Sequence, residues 1–252
     1  VYLDVKKALD DGRWAPGDLL PPERDLATQY GCSLITVRRA LSELAREQRI
    51  ERTPGRGTRV LRPRIDRDLG DTRSFVEEMA RLGLIAETRV IAARPEAAGA
   101  TVAAALKLEP GSPTLYLERL RLASNEPLLL ESAYLPAERF PGLLASDLES
   151  GSLYALLASR YTTHIASARE TLEPVLLRAR EARLLGQRPR SPALLVEGIA
   201  FTAAGIPVEF SRTFVRGDRT RYYVQRVVVR EGARVGELDP VRATGAPVSA
   251  LR

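Results

Sequence analysis

The sequence holds one cysteine, Cys32, and one histidine, His164. A lone cysteine cannot close an internal disulfide, and the two residues together are too little material for a zinc site or a Cys–His catalytic couple. We expect no metal and no cofactor. Long hydrophobic runs are missing as well: Leu128 to Leu130 and Ala103 to Leu106 fall far short of the roughly 20 apolar residues that a membrane-spanning helix needs. The opening Val1-Tyr2-Leu3-Asp4-Val5 lacks a secretory pattern, so a cytoplasmic protein without membrane contact is expected. The first residue is not Met, and a few residues are expected to precede it.

What is present points to two ordinary globular domains. The 252 residues exceed the usual size of one compact domain, and 44% hydrophobic with 28% charged residues excludes a disordered or membranous chain. The net charge of +6 is unevenly placed. From Arg38 to Arg64 stand nine basic residues (Arg38, Arg39, Arg46, Arg49, Arg52, Arg56, Arg59, Arg62 and Arg64) against the acids Glu43, Glu47 and Glu51, a surplus equal to that of the whole chain. Such a patch is the electrostatic footprint of a phosphate-backbone binder, although charge alone fits a solvated basic face equally well.

Residues 1–62 carry their own punctuation. Tyr2, Val5 and Leu9 fall at helical spacing, and Gly12 with Pro16-Gly17-Asp18 ends that helix. Pro21-Pro22-Glu23 opens a second helix, with Glu23 and Asp25 at its positive end and Leu26, Ala27 and Tyr30 as its apolar stripe. After the turn at Gly31-Cys32, Ser33 is a good cap for a third helix whose buried stripe is Val37, Ala40, Leu41 and Leu44. Opposite that stripe lie Ile35, Arg39, Ser42 and Arg46, flanked by Thr36 and Arg38. This is a helix-turn-helix, whose second helix enters the major groove of DNA. Two short strands, Arg49 to Arg52 and Thr58 to Leu61, enclose Thr53-Pro54-Gly55-Arg56-Gly57 and form a basic-tipped wing.

The runs Pro21-Pro22-Glu23-Arg24-Asp25-Leu26-Ala27, Ser33-Leu34-Ile35-Thr36-Val37-Arg38-Arg39-Ala40-Leu41 and Gly55-Arg56-Gly57-Thr58 closely resemble the DNA-binding domain of GntR-type regulators. The resemblance implies that Arg24, Ser33, Thr36, Arg38, Gly55 and Arg56 contact DNA, and Arg39 joins them from its place on the outward face. Many members of that family have arginine where this chain has Leu34, which touches a thymine methyl rather than a guanine if it reaches a base at all. For most of the arginines a phosphate contact is the expected role, and a surface salt bridge to Glu43 or Glu47 is the bland alternative.

Arg62 to Asp71 is charged, proline-bearing and without period, and we place a linker at 63–72. Beyond it a short helix around Phe75, Met79 and Leu82 precedes strands at Glu87 to Ala93, Thr114 to Leu122, Leu128 to Leu135, Ala166 to Pro174, Leu194 to Ala203, Pro207 to Arg216 and Tyr222 to Val229. Helices are expected near Ala100 to Leu106, Ser152 to Arg160 and Leu176 to Leu185. Tight turns at Ser124 to Pro127 and at Ala204-Gly205 make hairpins, so the class is α+β with a mostly antiparallel sheet. Residues 73–231 form this second domain, and the Gly-, Pro- and Ala-rich 232–252 reads as a flexible tail.

Alternation within Thr114 to Leu122 puts Arg119 and Arg121 on the same face as Leu115 and Leu117. Two guanidiniums on an otherwise apolar face need anionic partners. Folding the hairpin about Asn125 sets Glu131 opposite Arg119, so either a cross-strand salt bridge or a bound anion answers that need. Ser152 caps a helix whose free N–H groups could hold an anion, or it is a cap and nothing more.

Ser74-Phe75, Arg119-Leu120-Arg121, Glu131 with Tyr134-Leu135-Pro136, Ser152-Leu153-Tyr154, Pro207-Val208-Glu209 and Arg216-Gly217-Asp218 resemble the UTRA sensor domain of the HutC subfamily of GntR regulators, which shares its fold with chorismate lyase. The resemblance implies that Arg119, Arg121, Ser152 and Tyr154 take an anionic group, and that Phe75, Glu131, Arg169 and Glu209 surround the rest of the effector, an amino-sugar phosphate being favoured. It further implies a repressor that binds a palindromic operator in double-stranded DNA as a homodimer. A lyase-type enzyme on the same sensor fold is the alternative.

Overall fold

The structure, a computed structural model, describes residues 1–62, 64–70 and 73–224. The tail at 232–252 and the part of the last expected strand beyond residue 224 lie outside them. The chain divides into two compact units, Val1–Leu69 with the segment from Arg221, and Gly70–Thr220.

In the first unit, helices α1 (Tyr2–Asp10), α2 (Glu23–Gln29) and α3 (Leu34–Arg46) precede a hairpin of β1 (Ile50–Thr53) and β2 (Gly57–Val60). Their apolar stripes meet in one core: Val5 and Leu9 from α1, Leu26 from α2, Val37, Leu41 and Leu44 from α3, closed by Leu20, Ile50 and Val60. Each such side chain contributes about 1.5–3 kcal/mol relative to its exposed state. The segment read as a turn after α1 does more than end the helix. Leu19 bridges Arg59, and the Leu20 N–H donates to Thr58 O at 2.8 Å, so this segment adds a third short rung to the wing. At the wing tip, Pro54 and the positive φ of Gly55 (73°) make a tight turn closed by Arg56 N donating to Thr53 O at 3.0 Å, a conformation that glycine adopts without strain.

A strand stands inside the segment expected to be linker: β3 (Ile65–Asp68) pairs with β10 (Thr220–Tyr223). Arg221 grips Asp66 through two bonds of 2.8 and 2.6 Å, and Arg67 donates to the Tyr222 hydroxyl at 2.9 Å.

The second unit is built on a six-stranded sheet, entirely antiparallel in its pairings, with strands β4 (Ala86–Ala97), β5 (Pro113–Ala123), β6 (Glu126–Pro136), β7 (Ser167–Leu176), β8 (Pro192–Phe201) and β9 (Pro207–Arg216) in the order β4-β5-β6-β9-β8-β7. Ser124 and Asn125 both have positive φ, the geometry of a two-residue hairpin turn whose twist suits the flanking strands. The turn alone would face Arg119 with Leu130, but a register shift between Leu122 and Arg121 moves the pairing by one residue and sets Arg119 opposite Glu131, the pair the sequence leads one to expect.

Helices α4 (Phe75–Arg81), α5 (Ala100–Leu106), α6 (Leu153–Tyr161) and α7 (Ala179–Leu184) cover the sheet. Leu115, Leu117, Ala133 and Leu135 pack with Leu153 and Leu157 of α6 on one face, whereas Leu120, Leu122 and Leu130 pack with Ala182 on the other. The helix expected from Leu176 is shorter than foreseen, because Leu176 closes β7 and α7 begins only at Ala179. Glu118, 2% exposed, is held by both terminal nitrogens of Arg180 at 2.7 and 2.6 Å, which rivets α7 to the sheet. The Arg216-Gly217-Asp218 run also has a structural task. Arg216 binds Asp218 and Pro127 O, while a Cβ on Gly217 would meet Pro192 O at 3.0 Å.

Candidate functional sites

The first unit presents the outward face of α3. Ser33 caps the helix, its Oγ accepting from Thr36 N at 3.2 Å and lying 2.9 Å from Thr36 Oγ1. Val37, Ala40, Leu41 and Leu44 are buried, so the opposite side, with Leu34, Ile35, Thr36, Arg38, Arg39 and Ser42, faces solvent. Arg24 on α2 and Gly55 and Arg56 at the wing tip are exposed as well. The partner of Arg38 is neither Glu43 nor Glu47 but Glu23 of α2, with Arg38 Nε donating to Oε2 at 2.8 Å. The other oxygen of Glu23 takes Arg52 of β1, so one carboxylate joins α2, α3 and the wing. The hydrogen bond from Arg38 holds the Glu23 carboxyl below its ordinary range against the opposing effect of partial burial. Glu43 pairs with Arg46 at 2.6 Å, and Glu47 accepts from Lys6 at 2.9 Å. The pairing of Glu23 escaped the sequence reading, which gave that residue only a place at the positive end of a helix.

In the second unit the register collects charge on one sheet face. Cross-strand partners share a face, so Arg119, Glu131 and Thr213 stand in one row, and Arg121 follows two residues on. Arg119 and Arg121 are 2% and 6% exposed. Oε2 of Glu131 accepts from Arg119 Nη2 at 2.7 Å and from Arg121 Nε and Nη2 at 3.3 Å each. Arg121 Nη1 donates to Thr88 Oγ1 at 2.9 Å, and its guanidinium lies 5.5 Å from the ring centre of Phe75. Nε of Arg119 is buried without a hydrogen-bond partner.

A second carboxylate sits beside this group. Glu209, 2% exposed, accepts from the Tyr154 hydroxyl at 2.6 Å. Burial, and after it the charge of Glu131, lifts the Glu209 carboxyl to about 7. Glu131 moves the other way: burial would raise it, but Arg119 and Arg121 outweigh burial and bring it to about 2. Burial also lowers Arg121, and it raises the Tyr154 phenol, helped by Glu209. An ionised Glu131 between two arginines, next to a carboxyl that titrates near neutrality, makes a site able to hold an anion and, at its edge, to accept hydrogen bonds from hydroxyl or N–H groups.

Ser152 caps α6, with Oγ accepting from Ala155 N at 3.4 Å, and the loop before it is pinned by Asp147, which takes the N–H groups of Glu149 and Ser150 at 3.0 Å each. Phe75, Arg119, Arg121 and Glu131 thus touch one another, and Tyr154 with Glu209 forms a second pair that feels their charges. Arg169 is not brought to them. Its row runs through Ile199, Phe210, Tyr134 and Tyr116, on the opposite sheet face. Its neighbour Glu170 points to the cluster side, its Cγ within 3.2 Å of where a Cβ on Gly198 would stand. Sequence reasoning missed Thr88 and Glu170. Thr88 lies directly across from Arg121, and strand alternation alone separates Glu170 from Arg169.

Residues 1–60 match the family described as bacterial regulatory proteins, gntR family, and residues 81–221 match the UTRA domain. The chain is 36% identical over 222 residues to the HTH-type transcriptional repressor PhnF of Mycolicibacterium smegmatis, covering 88% of this chain and 89% of that protein. It is 32% identical over 229 residues to the HTH-type transcriptional repressor NagR of Bacillus subtilis, covering 90% and 94%. The crystal structure of PhnF from Mycobacterium smegmatis superposes with a TM-score of 0.73 at 34% identity, over 91% of this chain and 100% of that one.

Proposed function

This chain belongs to the GntR family of bacterial regulatory proteins, in the HutC-type subfamily that carries a UTRA domain, and from that premise we propose a repressor that binds a palindromic operator as a homodimer and is released by a small anionic metabolite. It is a transcriptional repressor of that family rather than an enzyme, as its named relatives are. The observation that carries the effector reading is the buried Arg119–Glu131–Arg121 group, in which Arg119 Nε has no partner. Buried donors without partners are costly, and an anion bound there would satisfy one.

The proposed operator contacts are Arg24, Ser33, Thr36, Arg38, Arg39, Gly55 and Arg56. One winged domain grips few base pairs, which is why a two-fold protein on a two-fold site is expected. In the proposed pocket Arg119 and Arg121, with Ser152 and Tyr154, take the anionic end. Glu131 and Glu209 accept from hydroxyl or amide groups, and Phe75 covers the ligand. Thr88 beside Arg121 and Glu170 on the cluster side of β7 join them, and Arg169 is left out of the pocket. An amino-sugar phosphate meets these demands in one small molecule. Its differential affinity for the DNA-competent and incompetent arrangements of the dimer would supply a coupling of about 1–3 kcal/mol.

Footprinting on the DNA upstream of the chain's own operon tests this reading. We expect a protected palindrome that is lost when an amino-sugar phosphate is added, and a thermal shift with sugar phosphates that small carboxylates do not match. No sequence-selective protection at moderate salt would refute operator binding. A larger shift with carboxylates would reassign the effector.

A further inference from the structure

Among the described residues Ile35 is the most exposed of the large hydrophobic side chains, at 77%, and Leu34 beside it is 36% exposed. Both lie in the first turn of α3, directly after the Ser33 cap. Neither belongs to the core of its unit, which Val37, Leu41 and Leu44 supply from the other side of the helix. A β-branched residue at a solvent-facing helical position gains no packing and is a poorer helix former than alanine. The fold therefore gives no reason for Ile35. Polar and cationic groups surround it: Ser33 and Thr36 on the same turn, and Arg38 and Arg39 on the next, all exposed.

An apolar tip inside a cationic surface fits a partner that is anionic overall and apolar at one point. Duplex DNA viewed along the major groove is such a partner, because the thymine 5-methyl is the only apolar group on the base edges there. We propose that Ile35, flanked by Leu34, is a specificity-determining residue that covers a thymine methyl in each operator half-site. The inference rests on the operator reading above and adds to it the identity of a base. Where arginine would select guanine, the apolar pair selects an A·T pair in the orientation that turns its thymine toward α3. The arginines around it hold phosphates and keep the helix in register without choosing a sequence.

The test replaces each thymine of the footprinted operator in turn by deoxyuridine, which removes the methyl and leaves pairing unchanged. Binding is titrated for the unsubstituted protein and for Ile35→Ala. At one thymine per half-site the unsubstituted protein should bind uracil DNA more weakly by roughly fourfold, the factor expected for one buried methyl group. The same exchange should change the binding of Ile35→Ala by less than about 1.5-fold, and Ile35→Val should retain most of the discrimination. Unchanged thermal midpoints would show that the variants fold, as expected at so exposed a position. Uracil without effect at every thymine overturns the proposal and leaves operator binding standing. An equal loss in Ile35→Ala overturns it as well, because another group would then be reading the methyl. If the unsubstituted protein selects no sequence, the proposal falls together with the operator reading.

Discussion

Glu23 holds Arg38 across the helix-turn-helix, Arg38 Nε donating to Oε2 at 2.8 Å, while its second oxygen takes Arg52 of the wing. A single carboxylate thus orients two guanidiniums on separate elements and cancels one of their charges. Glu23→Gln keeps the size of the side chain and removes the charge. Binding to random duplex DNA should tighten, with the slope of log affinity against log salt steepening by about 0.9. Operator binding should gain less or fall, so that the ratio of operator to random affinity drops roughly fivefold. Competition titrations at two salt concentrations measure both. An unchanged ratio would mean that Glu23 does not position the arginines. Unfolding should shift by less than about 1 kcal/mol, because Glu23 is only partly buried and its partner Arg38 is exposed.

Arg38→Ala removes the charge that Glu23 orients. Its side chain is 63% exposed and stands on the flank of α3, where it is suited to a phosphate. Operator affinity should fall and its salt slope should become shallower by about 1, while effector binding measured by calorimetry stays the same. A change in effector affinity would show that the residue serves more than the DNA face.

How far the sequence could be read depended on whether the relevant partners were close along the chain. The hairpin that brings Arg119 near Glu131 is legible from Ser124-Asn125, but the exact pairing is not, because the two-residue turn alone faces Arg119 with Leu130 and a one-residue bulge beyond Arg121 supplies the shift. The stripe of α3 is legible because four apolar residues repeat at helical spacing over a capped start. By contrast β3 has four residues and its partner β10 lies some 150 positions away, so no local pattern marks it as a strand. Glu23 and Arg38 meet only because α2 and α3 cross. On β7 nearly every residue is exposed, so hydrophobic alternation could not say which face holds Arg169 and which holds Glu170. The neighbouring strands decide it, and their order in the sheet is a tertiary fact.

Arg121→Ala takes one of the two guanidiniums from Glu131 and the cation from above Phe75. Glu131 keeps Arg119, so the loss of stability should stay near 1–3 kcal/mol, the range for a buried hydrogen-bonded group. DNA binding without effector should be unaffected, and release by effector should disappear. Denaturant titration and footprinting with and without effector provide the check. A normal response would place Arg121 outside the pocket and leave it a purely structural role.

The pH dependence follows from the two carboxyls moving apart. Glu131 is brought from 4.5 to about 2, so the stability it gives is present above its unfolded value and is lost as pH falls toward 2. Glu209 is lifted from 4.5 to about 7, so between those values the folded protein holds a proton that the unfolded chain has released, and stability falls as pH rises through this window. Glu209→Gln retains an oxygen for the Tyr154 hydroxyl and cannot ionise. Its unfolding free energy should therefore lose the decline between pH 4.5 and 7, and its own value at pH 8 should equal or exceed that of the unsubstituted protein. The same ionisation sets a negative charge beside the arginine pair, so affinity for an anionic effector should weaken as pH rises through 7 in the unsubstituted protein and much less in the variant. Parallel declines in both proteins would assign the pH dependence to another group.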